Sequence, residues 1–423
     1  MSQFYDRVVE RMMRYARVNT QSSNTADSYP TTSVQRDLAI MLEKELIDIG
    51  VSEIFFDERS IILYAKIPAT VVNAPSVGFI AHMDTAPDAP GDGIKPWLLK
   101  KYDGGNIVLN EEKGIVMRSA DYANLAGYIG EDLILTDGTT LLGGDDKAAI
   151  SAIMTAAEYL VVHPEIPHGD VCLAFTPDEE VGGLARDLDI DRFGSDTAYT
   201  VDGDHLGYYE YETFNASEAF IDIFGLSVHP ATAKGIMINA SDIAVEFLSA
   251  LPANEKPQYT EGREGFYYVT SVTSTCENAN IRLIIRDFDH KKFKDREEYL
   301  RKTANKLNNK YGKSVISVRI KEQYRNMGDI IEGVPHLISN LKRAIEECGV
   351  EPVYEPFRGG TDGSSLSFRG LPCPNLSAGY ENAHGRFEYV PVCNMEKNVE
   401  IILRLCEISC KTQINESISE DNR

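Results

Sequence analysis

The order in which strand-like and helical stretches alternate restricts this chain more than any other feature. Four apolar runs read as buried strands: IILYAKI (61–67), SVGFIAH (76–82), VCLAFT (171–176) and TAYTVD (197–202). Between the second and third lies DKAAISAIMTAAEYLVV (146–162), whose Ala-rich periodicity is helical. Residues 33–49 predict an amphipathic helix that Gly50 can end, and Phe4, Val8, Val9, Met12, Met13 and Ala16 recur at helical spacing behind Ser2, a candidate cap. Strands separated by helices imply an α/β domain with a mostly parallel sheet, whose ligands gather at the carboxyl ends of the strands.

From about residue 214 the pattern changes. Strand (217–226), helix (238–251), two strands (266–275 and 280–288), a charged helix (290–311) and a last strand (314–320) follow one another. That is β-α-β-β-α-β, the ferredoxin-like order. A helix near 335–348, a strand near 374–379 and a helix near 394–411 then resume the first pattern. The expected organisation is a discontinuous catalytic domain, 1–213 with 324–423, carrying an inserted lid or dimerisation domain at 214–323. Residues 412–423 read as a frayed polar tail.

The 43% hydrophobic and 25% charged content suits a globular chain with a sizeable core, and 65 acidic against 42 basic residues leave a net charge of −23. Such a polyanion disfavours nucleic acid and anionic membranes as partners. There is no apolar run of the roughly 18 residues a membrane span needs, and no secretory signal pattern. Seven scattered cysteines without a CxxC pair fit a reduced, cytoplasmic protein, with Cys406 and Cys410 read as core residues.

Five segments carry chemistry. His82 and Asp84 end an apolar strand, where alternation puts them on one side and lets the carboxylate orient the imidazole. Asp145 and Asp146 open the Ala-rich helix, where an ordinary helix cap is the plainer account. Asp178, Glu179 and Glu180 directly follow a buried strand; stacked like charges there call for cations or protons, although a solvated acidic turn accounts for them equally. Asp202 and Asp204 end another strand, and His384 sits in a glycine-flanked loop. Each alone has a structural explanation, but four of the clusters end strands of one sheet. Two histidines with several carboxylates suit zinc. His163, His168, His290 and His336 read as exposed.

The stretches GFIAHMDTAPDAP, LTDGTTLLGGDDKAAI, FTPDEEVG, AYTVDGD, VHPATAKGIMINA, EGREGFYYV, IIRDFD, RGGTDGSSLSFRGLPCPNL and AHGRFE, in this order, resemble the M20 metallopeptidase family, most closely its tripeptide aminopeptidases. The resemblance implies two Zn²⁺ per subunit, one held by His82, Asp145 and Asp202, the other by Asp145, Glu180 and His384, with Asp145 bridging. It implies Asp84 as the partner of His82, Glu179 as general base, and His229 as an oxyanion-holding group reaching a neighbouring site. Arg286 and Arg358 match positions suited to a substrate carboxylate, and each could equally be a structural ion-pair residue. A homodimer through the inserted domain is expected. The chain departs from the family pattern at Gly144, Ala149, Asp204 and in the loop before His384, GYENAHG; none of these departures touches a proposed ligand, and they bear on substrate preference. Asp146, Asp178 and Asp204 are candidates for attracting a substrate ammonium. A dipeptidase, an N-acyl amino acid deacylase and a non-catalytic peptide-binding protein are the alternatives.

Overall fold

The computed structural model describes residues 2–412; the expected polar tail, from 413 on, lies outside them. The chain divides into two compact units, one of Met1–Tyr211, Asp329–Glu355 and Thr361–Arg423, the other of Glu212–Gly328 and Pro356–Gly360.

The first unit is built on an eight-stranded sheet in the order Glu53–Asp57, Ile62–Ile67, Val171–Thr176, Val77–His82, Ala198–Val201, Asn375–Leu376, Tyr208–Glu210, Val353–Tyr354. Its centre is four parallel neighbours, from Val171–Thr176 to Asn375–Leu376, while Ile62–Ile67 and Tyr208–Glu210 join them antiparallel. Both Val77–His82 and Val171–Thr176 are buried at every position, as strands covered on two faces must be. Register aligns their ends: His82 lies opposite Thr176, and Ile80 opposite both Ala174 and Thr200. The loops after His82, Thr176 and Val201 therefore leave the sheet side by side.

The helix Gly144–Val162 is buried along most of its length, so its alanines let it pack closely among other elements rather than line a surface. Helix Gln35–Asp48 precedes Gly50 at φ +94°. Ser2 does not cap the first helix, which starts at Tyr5 behind Phe4; its hydroxyl instead accepts the N–H of Phe4. One layer was not expected. Trp97–Leu99, Leu133–Leu135 and Val390–Pro391 form a small sheet beside the hairpin Ile107–Asn110/Ile115–Met117, around Tyr102, Leu109, Leu125 and Tyr389. Strands of two to four residues leave too little periodicity to be read in advance.

The second unit has four antiparallel strands in the order Phe266–Ser274, Asn278–Asp287, Asn215–Phe224, Ile316–Tyr324, with helices Ala240–Ala250 and His290–Tyr311 packed on one face. With the strands numbered by sequence this is the 2-3-1-4 arrangement of a ferredoxin-like fold. Ile221, Ile223, Phe247, Ile281, Leu283, Phe293 and Leu300 form its core.

Two smaller expectations fail. His168 is buried, not exposed: its ring Nδ1–H donates to Gly169 O (2.7 Å) and its main-chain N–H donates to Thr70 Oγ1. Cys406 is core, but Cys410 is only part-buried.

Candidate metal centre

The site lies where the parallel strands end. His82 is the last residue of its strand and 3% exposed, with Nε2 2.9 Å from Asp145 Oδ1. Its Nδ1 meets the main-chain oxygen of Asp84 at 3.1 Å, closer than the Asp84 carboxylate at 3.4 Å. The ring is thus oriented chiefly by a carbonyl, which leaves Nε2 to act as a ligand. The Asp84 carboxylate turns instead to the N–H groups of Glu179 (2.9 Å) and Glu180 (3.2 Å), fixing the acidic turn that follows Thr176.

Asp145 and Asp146 have non-helical dihedrals at the start of the Ala-rich helix, Asp145 at φ −76°, ψ 98°. Both side chains consequently turn inward. The two oxygens of Asp145 address different imidazoles, Oδ1 facing His82 and Oδ2 facing His384 Nε2 at 3.2 Å. His384, at φ +61° in its loop, also lies 2.8 Å from Glu180 Oε2. Asp202 follows the strand Ala198–Val201, and its Oδ1 accepts from Tyr380 Oη at 2.9 Å. Ligand atoms of His82, Asp145 and Glu180 fall within 4.8 Å of one another, as do those of His82, Glu179 and Asp202, and those of Asp145, Asp146 and Asp202.

The electrostatics are those of a place made for cations. Burial, reinforced by the charge of Asp145, pushes the Glu180 carboxyl up to about 7, and burial with neighbouring acids also raises Glu179, Asp146 and Asp202. Burial alone would raise Asp145, but hydrogen bonds from His384 and His82 hold it below the usual carboxylate range. Asp145 and Glu180 in turn lift the His384 imidazole to about 11. Protons on nitrogen here stand in for positive charge that the acids require. Glu180 Oε1 and Asp146 Oδ1 are buried without a hydrogen-bond partner, an open valence a cation would fill. Two imidazoles and several carboxylates, with His384 half-exposed, match the donor set and accessibility of a catalytic zinc site.

Of the acids considered for a substrate ammonium, Asp178 is engaged elsewhere, accepting from Thr31 and Gln35, and Asp146 Oδ2 accepts the N–H of His82; Asp204 is exposed. His205 was overlooked. It bridges the loop after Asp202 to Glu381, whose buried carboxylate also accepts from Asn124 and Tyr128. Glu388 and Asp362, both buried beside the site, were also unassigned; Glu388 closes the AHGRFE stretch that sequence alone singled out.

His229, Arg286 and Arg358 belong to the second unit. His229 is exposed and its Nδ1 accepts the N–H of Ala231. Arg286 donates to the carbonyls of Ser217 and Ile285 and lies over the Tyr324 ring. Arg358 bonds the main chain at Gly262 and Glu264 and both oxygens of Thr260, with Phe214 and Phe266 against its guanidinium.

Residues 211–315 match the family model of the peptidase dimerisation domain. The chain is 50% identical to peptidase T of Geobacillus kaustophilus over 402 residues, 95% of this chain and 98% of that one, and 47% identical to peptidase T of Clostridium botulinum over 401 residues with the same coverage. Among solved structures it is similar to aminopeptidase PepT from Bacillus cereus, at a TM-score of 0.74 and 24% identity over 96% of this chain and 99% of that one. It is also similar in fold to a dinuclear metal-binding peptidase of the M20 family from Bacillus subtilis, at a TM-score of 0.66 and 13% identity over 96% and 98%. Identity of this extent along nearly the whole of both chains makes the protein a member of the peptidase T family of M20 metallopeptidases, and hence a peptidase.

Proposed function

We propose that this peptidase removes the N-terminal residue of tripeptides at a two-zinc centre, with His82, Asp145 and Asp202 holding one ion and Asp145, Glu180 and His384 the other. The observation that carries the reading is the Asp145 carboxylate, whose two oxygens face two different imidazoles. A carboxylate shared in this way is what a pair of adjacent cations needs. The tripeptide assignment is supported by the relatives called peptidase T and the fold shared with aminopeptidase PepT.

When bound, the zinc ions supply Lewis acidity, which acidifies water and polarises a carbonyl. The chain supplies the rest. Glu179, held by its N–H on Asp84, accepts a proton on its carboxylate from the attacking water and passes it to the departing amine. His229 steadies the oxyanion at a neighbouring site, and Arg286 and Arg358 are the candidates to receive the substrate carboxylate. The match of residues 211–315 to a dimerisation domain supports pairing of two copies through the second unit. Among the described residues no helix is long and apolar enough to cross a membrane, and all seven cysteines are free, as suits a reducing, cytoplasmic setting.

The test is a substrate panel after zinc reconstitution: a free tripeptide, a dipeptide, an N-acetylated tripeptide and an N-acyl amino acid. Fastest turnover of the free tripeptide is expected. Preference for the dipeptide points to a dipeptidase, and preference for N-blocked compounds to a deacylase; either overturns the assignment.

A further inference from the structure

We infer that Glu388 is a positioning residue that sets the shared carboxylate Asp145 and ties it to the His384 segment, an inference that rests on Asp145 being a metal ligand. Glu388 is 2% exposed, and its carboxylate is aimed at the turn leading into the Ala-rich helix. Oε2 accepts the N–H groups of Leu142 (2.9 Å) and Gly143 (2.8 Å), and Oε1 accepts that of Asp145 itself (2.9 Å). Three amides converging on one point form a concavity for an anion. Here the anion comes from the chain.

The local sequence explains the convergence. Gly143 adopts φ +74°, and Asp145 departs from helical dihedrals, so these N–H groups point inward rather than along a helix axis. At Gly144 a Cβ would stand 3.0 Å from Glu388 Oε1 and 2.5 Å from Val390 Cγ2, so the turn approaches Glu388 as closely as a bare backbone permits. Glu388 is itself fixed from behind: Val390–Pro391 pairs with Leu133–Leu135. Only three residues separate Glu388 from His384. One buried carboxylate therefore couples the two loops that deliver Asp145 and His384.

The consequence is specific. Without the three charge-assisted bonds the turn loses its anchor, and Asp145 cannot hold both oxygens toward the imidazoles. Glutamine at this position has the right size, but its amide turns N–H groups toward N–H groups.

The experiment compares zinc titrations of metal-stripped wild type, Glu388→Gln and Glu388→Ala, with thermal melting of each metal-free protein and with kcat at saturating zinc. Zinc affinity is expected to fall about 10–100-fold in Glu388→Gln, with further loss in Glu388→Ala and partial recovery of kcat as zinc is raised. A folded Glu388→Gln protein with wild-type zinc affinity overturns the inference, and a lowered melting temperature alone assigns Glu388 a merely structural part. Hydrogen exchange of wild-type residues 140–148 needs no variant: protected amides are expected, and rapid exchange there contradicts the proposed anchoring. If wild type itself takes up no zinc, the metal-centre reading fails instead, a result recognisably different from wild-type affinity in the variant.

Discussion

The carboxylate of Asp84 accepts the backbone N–H of Glu179 at 2.9 Å. Its second oxygen takes that of Glu180, so one buried side chain sets the turn that carries both the proposed base and a proposed ligand. Asp84→Asn offers an N–H where an acceptor is needed. The expected result is a 10–100-fold loss of zinc affinity together with a fall in kcat, measured by calorimetric titration and steady-state kinetics. Unchanged affinity and turnover would deny Asp84 this part.

How much of this was legible in the sequence depends on the range of the interactions involved. The central strands, the Ala-rich helix and the second unit's strand and helix order were readable because burial on one or both faces imposes long apolar periodicities. His82 and the acids after Thr176 and Val201 were readable because they end or directly follow those strands, whereas Asp145, at the opening of a helix, had an ordinary cap as its plainer account. The antiparallel joining of Ile62–Ile67 was not, since its apolar run looks the same in either direction. The contacts of Glu388 and of the His205–Glu381 pair were also hidden: their partners lie 243 to 246 and 176 residues away, and no local pattern announces such a pairing. His168 was misread for the same reason, its burial being set by the distant Thr70 segment.

Glu179→Gln removes the proton acceptor while preserving shape. Activity should fall by about 10²–10⁴-fold or more with zinc content unchanged, measured by turnover and by metal analysis of the same sample. Near-normal turnover would refute the role of Glu179 as base.

The metal-free protein should respond to pH in a definite sense. Glu180 and Asp362 are each raised to about 7 by burial, and Glu388 likewise. Groups whose folded pKa exceeds the unfolded value contribute stability that is full below the unfolded pKa and lost as pH rises through the folded one. Stability without metal should therefore decline between about pH 4 and 7. The shift of His384 to about 11 has the same sign, but its loss begins near the ordinary imidazole value and runs on to about 11. Zinc should flatten this profile, and adding it near neutral pH should release protons. Urea midpoints across pH and an indicator-dye titration measure both; a flat metal-free profile would contradict the charge balance described.

Arg358→Met distinguishes two uses of one guanidinium. The proposed carboxylate contact predicts that KM rises far more for a free tripeptide than for its C-terminal amide. Its bonds to the 260–264 loop predict instead equal effects on both substrates with lowered thermal stability. Kinetics on the matched pair, alongside melting of the variant, decide between them.

The proposed two-ion centre requires Asp145 to serve two cations at once. Anomalous diffraction at the zinc edge from zinc-loaded crystals tests it most directly. Two peaks are expected, both within bonding distance of the Asp145 carboxylate, one shared with His82 and Asp202 and the other with Glu180 and His384. A single peak, or peaks that leave Asp145 untouched, would contradict it.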